Sequence, residues 1–388
     1  IGGNIQLAPG STGIVRTLAI GADQPGAAAN NAGMVYLDGG ISDGPGGSGN
    51  HFMKNGVGTL FFTGNNTYTG TTTIQQGLIG INADSDWGLT TGNINSPGGG
   101  IAIWENSFTT AKNYSAHGGN LHVDVAGGLT LTQDAASVID GTSSIVKRGL
   151  GTLILNGENA VTGLFAGDGI LQFNSLISTA NSVSTGNYSI GGDVTLGGAN
   201  NGTRYTGGTM RFNFTGTTTR TFIFNNNGNT NFAGGIDVTA GNTLTAGGII
   251  SQGSELDYGF KTGTGTLITT AANTWRGVAM INGVLQFGNS TPWANSTGTA
   301  ADNTFVDMMG GTIRAINTGA NIALANAAST TTYNYGGGMV LSLGSGAGFS
   351  AEMAADNLIR QNQGTLVIQT EGATTLGAAG NTNAARLI

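Results

Sequence analysis

Few side chains in this sequence could do chemistry, and they are scattered. The densest run of carboxylates is Asn82-Ala83-Asp84-Ser85-Asp86. Asp84 and Asp86, spaced Asp-x-Asp, are the calcium candidates, because hard oxygen donors suit that ion. The competing reading is a polar turn, and the glycine-rich calcium nonapeptide is absent. Glu255 and Asp257 flank Leu256 and would share one strand face. Two carboxyls roughly 6.5–9.5 Å apart suit an inverting glycoside hydrolase, yet a solvated strand edge accounts for this pair equally, and the chain has no Asp-Asp pair. His51, His117 and His122 are the only histidines, and with no cysteine they show no zinc spacing. A Ser-His-Asp triad joins only in space and leaves no local signature. The Gly-x-Gly strings read as turns, since none opens a helix as a phosphate loop must. Trp87, Trp104, Trp275 and Trp293 are either sugar platforms on an outer face or packing residues. From these residues no catalytic group and no cofactor is expected, and no metal beyond the calcium candidates.

The elements that would have to position such groups follow from composition. Glycine makes up 71 of 388 residues, about 18% where roughly 7% is usual, without the Gly-X-Y period of collagen. Charged residues are 9% and apolar residues 38%, so a core is available although ion pairs are few. Asn, Thr and Ser stand where Lys, Glu and Arg usually do. Thr favours strands, while Gly and Asn favour tight turns. Helices are disfavoured, and residues 351–358 are the most helix-tolerant stretch. A net charge of −7 with no basic cluster argues against nucleic acid. The lack of cysteine excludes a disulfide framework. No run approaches the ~18 apolar residues of a membrane span. A start at Ile1 without a signal peptide reads as a mature or excised piece of something longer.

Repetition organises these strands. Lys54-Asn55-Gly56-Val57-Gly58-Thr59-Leu60 recurs as Lys147-Arg148-Gly149-Leu150-Gly151-Thr152-Leu153 and as Lys261-Thr262-Gly263-Thr264-Gly265-Thr266-Leu267, with a worn copy at Arg360-Gln361-Asn362-Gln363-Gly364-Thr365-Leu366. The glycine before Thr-Leu falls at 58, 151, 265 and 364, steps of 93, 114 and 99 residues. Each copy continues with an apolar strand, a polar turn and a glycine that opens a second strand at Gly77, Gly169 and Gly283. Propeller blades repeat at a tighter period, and a sandwich gives no reason for one motif to recur along the chain. A β-solenoid does. The expectation is an all-β parallel solenoid running continuously over 1–388, in about four units of roughly 100 residues, each of about four coils. Asn at equivalent corners would stack in ladders.

These motifs resemble the passenger-associated repeat of autotransporters, whose pattern runs K-x-G-x-G-T-L, alternating apolar and Thr, then G-x-N-T-Y-x-G and a closing G-x-L. Residues 54–78 match nearly throughout, including Asn66-Thr67-Tyr68-Thr69-Gly70. Residues 147–173 put Ala160-Val161 at Thr-Tyr, residues 261–288 put Trp275 at Tyr, and residues 360–370 keep only the core. The resemblance implies a right-handed parallel β-helix at the extracellular surface of a Gram-negative-type bacterium. It further implies a structural role as stalk, fibre or adhesin passenger. The alternatives are a carbohydrate-active β-helix enzyme and a non-catalytic glycan-binding module. The chain departs from the pattern just after the motif Leu, where the family carries a polar residue and this sequence has Phe61, Ile154, Ile268 and Val367. Alternation points these outward. Either a neighbouring segment covers them or they form an apolar stripe for self-association. The expected partners are therefore other copies of the chain or the rest of a longer exoprotein, and surface glycans.

Overall fold

The alternation of Thr with aliphatic residues and the glycine punctuation produce short strands separated by sharp corners. In the computed structural model, residues 2–7, 10, 15–19, 33–89, 93–175, 188–190, 208–224, 232–252, 258–274, 277–280, 282–288, 304–317, 322–324, 331–336, 338–345, 351–353, 357–371, 375–376 and 384–387 are described. Every described strand pairing is parallel, as a chain must pair when it returns to the same face once per coil. The protein is a parallel β-solenoid. One 3₁₀ turn, Asp84–Trp87, is the only helical element among the described residues, and no helix there is long and apolar enough to cross a membrane. Within residues 351–358 the described segments are strand, Ala351–Met353 and Asn357–Arg360.

Contacts divide the chain into two compact units, residues 1–186 with 193–208, and residues 187–192 with 209–388. In the first unit the described strands build three faces. One is a seven-stranded sheet that includes Val15–Ala19, His51–Asn55, Thr72–Ile74 and Glu158–Ala160. The second stacks Met34–Leu37, Thr59–Phe62, Leu78–Ile81, Gly100–Ile103, Leu121–Val125, Ser144–Arg148 and Gly163–Ala166. The third stacks Phe108–Thr110, Thr130–Gln133, Thr152–Leu155 and Ile170–Phe173. In the second unit, one face runs from Thr209–Phe212 to Asn357–Arg360 and another from Gly216–Thr218 to Thr365–Glu371. Register partners of consecutive coils lie as close as 18 residues apart (Thr152 with Ile170) and as far as 36 (Val15 with His51).

Inward residues stack in rows. Leu60, Ile79, Ile101 and Val123 are mutual register partners on the second face of the first unit. Leu267, Leu285 and Ile313 form the corresponding row in the second unit. All are buried. Such rows remove apolar surface from water at ~25 cal/mol per Å², while the backbone bonds of each strand are satisfied by the coils above and below. The first unit adds an aromatic interior in which Phe52, Phe62, Trp87 and Tyr114 meet edge-on or tilted.

Asparagines work differently from the expected ladders. A ladder pair does occur among the described residues, Asn174 Nδ2 donating to Asn156 Oδ1 at 2.7 Å. More often an Asn reaches to the backbone of the adjacent coil. The Ile41 amide donates to Asn66 Oδ1 (2.7 Å) and the Ile250 amide to Asn273 Oδ1 (2.9 Å). Asn66 in turn donates to the Asp86 carbonyl (2.6 Å). In the first and third copies the motif Asn is thus a latch that saturates a backbone amide of the preceding coil, whereas in the second Asn159 Oδ1 accepts from Gln133 Nε2 at 3.1 Å.

Candidate functional site

The motif lysine sets the geometry of every full copy. Lys54, Lys147 and Lys261 occupy inward positions, in register with Ile74, Val123 and Ile236 respectively. Their side chains are buried. The aliphatic stem lies in the core and the ammonium turns to the corner, where it meets three backbone carbonyls. Lys54 Nζ donates to the carbonyls of Asn55 (3.0 Å), Gly56 (2.6 Å) and Gln76 (3.0 Å). Lys147 Nζ donates to those of Arg148 (2.6 Å), Gly149 (2.7 Å) and Asp168 (3.3 Å). Lys261 Nζ donates to those of Thr262 (2.6 Å), Gly263 (2.9 Å) and Asn282 (3.4 Å). Three N–H donors face three acceptors, two on the lysine's own corner and one on the next coil. Burial holds each of the three amines down at about 8, which still leaves them charged at neutral pH.

The two glycines around this cage follow from it. The heptad glycine turns the chain in the left-handed region, with φ of 75° at Gly56 and 71° at Gly149 and Gly263, so that its carbonyl points at the ammonium. The closing glycine of the next coil lies directly on the cage. A Cβ at Gly77 would stand 2.3 Å from the Gly58 carbonyl oxygen, 2.6 Å from that of Gly56 and 2.8 Å from Lys54 Nζ, and Gly283 repeats this around Lys261. In the worn copy Asn362 takes the left-handed position with φ 44°. There Arg360 Nε donates to the Gly364 carbonyl at 2.9 Å, and the second-coil acceptor is not part of that contact.

Sequence reasoning attached no role to these lysines, although a signal was present. The chain holds four lysines, and three of them are the motif residues 54, 147 and 261. A chain that nearly abandons lysine and keeps it at one repeated place needs it there.

The residues after the motif Leu are not brought together in the first unit. The 93-residue step is four coils plus one face: the lysine strand of the second copy, Ser144–Arg148, falls on the sheet that carries Thr59–Phe62 of the first, and Thr152–Leu155 falls on the next sheet. Phe61 and Ile154 therefore look out from different sides. Phe61 is only 6% exposed. It stacks on Tyr36 (centroids 4.7 Å, 13°) and meets Trp104 edge-on (5.4 Å, 79°). Ile154 and Ile268 are half-buried and Val367 is exposed. In the second unit, Ile268 and Val367 sit on the same sheet, four coils apart in adjacent outward rows.

Asp84 and Asp86 diverge. Asp84 accepts from Thr110 Oγ1 (2.6 Å) and from the Ala111 amide (3.3 Å), and Asp86 accepts from the Asn82 and Ala83 amides (2.7 and 3.0 Å). Asp86 thereby closes the turn and Asp84 binds it to a neighbouring coil. Among the described residues no group of three or more His, Cys, Asp or Glu converges as a metal site. His51 Nδ1 pairs with Thr71, His117 is exposed, and His122 is buried beside Arg148, where desolvation and then the guanidinium lower it to about 3. Trp87 is core and Trp104 is 44% exposed. Glu255, Asp257, Trp275 and Trp293 lie outside the described residues.

A parallel solenoid clasped at intervals by caged lysines is the class these observations define. Three segments, residues 53–79, 145–173 and 260–286, match the family model described as passenger-associated-transport-repeat, and each contains one complete cage. The chain is also similar to the adhesin BmaC autotransporter of Brucella suis biovar 1 (strain 1330), with 32% identity over 123 residues. That alignment covers 29% of this chain and 4% of the relative, so the chain spans a small fraction of the relative's length. No solved structure gives a significant match.

Proposed function

We propose that this chain is a segment of a surface-displayed, non-enzymatic passenger, a β-solenoid that carries an adhesive or structural surface outside a Gram-negative bacterium. The observation that carries this reading is the repeated cage: in all three full motif copies the motif lysine serves coil-to-coil attachment. The repeat match and the similarity to an autotransporter adhesin support the same reading. Lysine and arginine, the residues at which many proteases cut, total 13 in 388, and three of the lysines are buried, which suits a chain exposed to the surroundings. Lateral association between copies is a finer proposal, resting on Ile154, Ile268 and Val367 rather than on covered Phe61. An antibody raised against the purified chain tests the location. It should label intact cells that express the parent protein, and label that appears only after permeabilisation refutes a surface role.

A further inference from the structure

The outer side of the second face in the first unit carries two neighbouring rows that the coil-to-coil cages do not use. One row is Tyr36, Phe61, Gly80 and Ala102 in register across four coils. Continuing the same register by two residues places Asp38, Thr63, Asn82 and Trp104 beside it. The small residues make a floor: the Phe61 ring lies over Gly80, whose added Cβ would stand 2.2 Å from its Cδ1. Tyr36 and Trp104, 47% and 44% exposed, rise at the two ends. Both rims reach in over Phe61, with centroids 4.7 and 5.4 Å from its ring, so the strip between them is at most about 10 Å long, the length of two pyranose rings.

Asp38 links this strip to a groove of about 420 Å³ lined by Asn4, Asp38, Gly40, Ser42, Asn65 and Thr67. Its lining is mainly polar. Asp38 accepts from Thr63 Oγ1 at 2.7 Å and Asn4 accepts from the Gly40 amide at 3.0 Å. Among the described contacts the side chains of Ser42, Asn65 and Thr67 make no hydrogen bond within the protein. Aromatic rims next to unspent hydroxyl and amide groups suit a ligand that offers an apolar C–H face together with a fringe of hydroxyls. No Lys or Arg belongs to the two rows or the groove, and Asp38 adds a negative charge, so acidic ligands are disfavoured.

We propose that this strip and groove bind a short neutral oligosaccharide, with one ring against the Tyr36–Phe61 stack and its hydroxyls turned to Asp38, Asn65 and Thr67. The inference deepens the adhesin reading and commits it to a partner chemistry. The test uses the purified chain on a printed array of neutral hexose and N-acetylhexosamine oligosaccharides beside their sialylated and sulfated forms, with hits titrated by calorimetry. At least one neutral oligosaccharide should bind, and Tyr36→Ala and Asn65→Ala should each weaken it about tenfold, as loss of a stacking face or of a hydrogen-bonding pair does. The Asn65 side chain has no hydrogen-bond partner among the described residues, so its variant keeps the wild-type melting temperature and separates binding from folding. The proposal is overturned if no neutral oligosaccharide binds, if only acidic forms bind, or if hits keep wild-type affinity in both variants. A blank array leaves surface labelling of intact cells unaffected, so the two readings fail separately.

Discussion

Replacing Lys147 with Met tests the cage most directly. Met keeps the length and flexibility of the stem, so the packing against Val123 in the interior is retained. What disappears is the ammonium, and the carbonyls of Arg148, Gly149 and Asp168 lose their donor. A buried acceptor left without a partner costs about 1–3 kcal/mol. The bonds at 2.6 and 2.7 Å carry most of this and the one at 3.3 Å carries little, giving about 2–6 kcal/mol. Relief from burying a charge, the same desolvation that holds the amine at about 8, returns part of that. The expected net loss is about 2–4 kcal/mol. For a cooperative unit near 200 residues that lowers the melting temperature by roughly 4–16 °C. The readouts are thermal unfolding followed by circular dichroism and amide hydrogen exchange, where protection should fall first at 145–171 because solenoid coils depend on their immediate neighbours. A Lys147→Met protein that melts within about 1 °C of wild type, with unchanged exchange, would falsify the claim that the cage holds the coils together.

The pH dependence has a defined sign. The folded state releases the lysine proton near 8 and the unfolded chain near 10.5, so between those values the unfolded chain binds more protons and stability attributable to these sites rises with pH. The wild-type melting temperature minus that of a Lys54→Met, Lys147→Met, Lys261→Met variant should therefore be flat below pH 8 and grow towards pH 10; a shrinking difference would mean the carbonyls favour the ammonium more than burial opposes it. Gly169→Ala places a methyl 2.4 Å from the Gly151 carbonyl oxygen at a φ of 62°, and a loss of at least about 3 kcal/mol in denaturant unfolding is expected from clash plus a left-handed alanine. Asn66→Ala strands the Ile41 amide and the Asp86 carbonyl and should cost about 2–4 kcal/mol, whereas wild-type stability would show that water replaces the latch. Phe61→Thr should destabilise by about 1.5–3 kcal/mol through lost burial, while Ile154→Thr, at a half-buried position, should leave melting nearly unchanged; sedimentation of the Ile154→Thr chain then reports on self-association, and unchanged sedimentation counts against it.

Sequence alone determined the class of this protein. Three heptads and their spacing required repeating strands, and the Thr–aliphatic alternation in Thr152-Leu153-Ile154-Leu155 assigned inward and outward residues, because a strand has a side-chain period of two whatever surrounds it. The excess of Gly and Asn required sharp corners. Tertiary structure decided the rest, since it depends on which coil lies over which. Lys147 has no role legible in the sequence, and only the stacking of Gly169 and Asp168 onto its corner makes it a buried clasp. Phe61 and Ile154 hold the same place in the motif, yet a step of four coils plus one face turns them to different sides, and Gly80 leaves room for the Phe61 ring where Gln172 follows Ile154 in register. Motif position is a local property of the chain, whereas face and burial are set by residues some twenty positions away, one coil on.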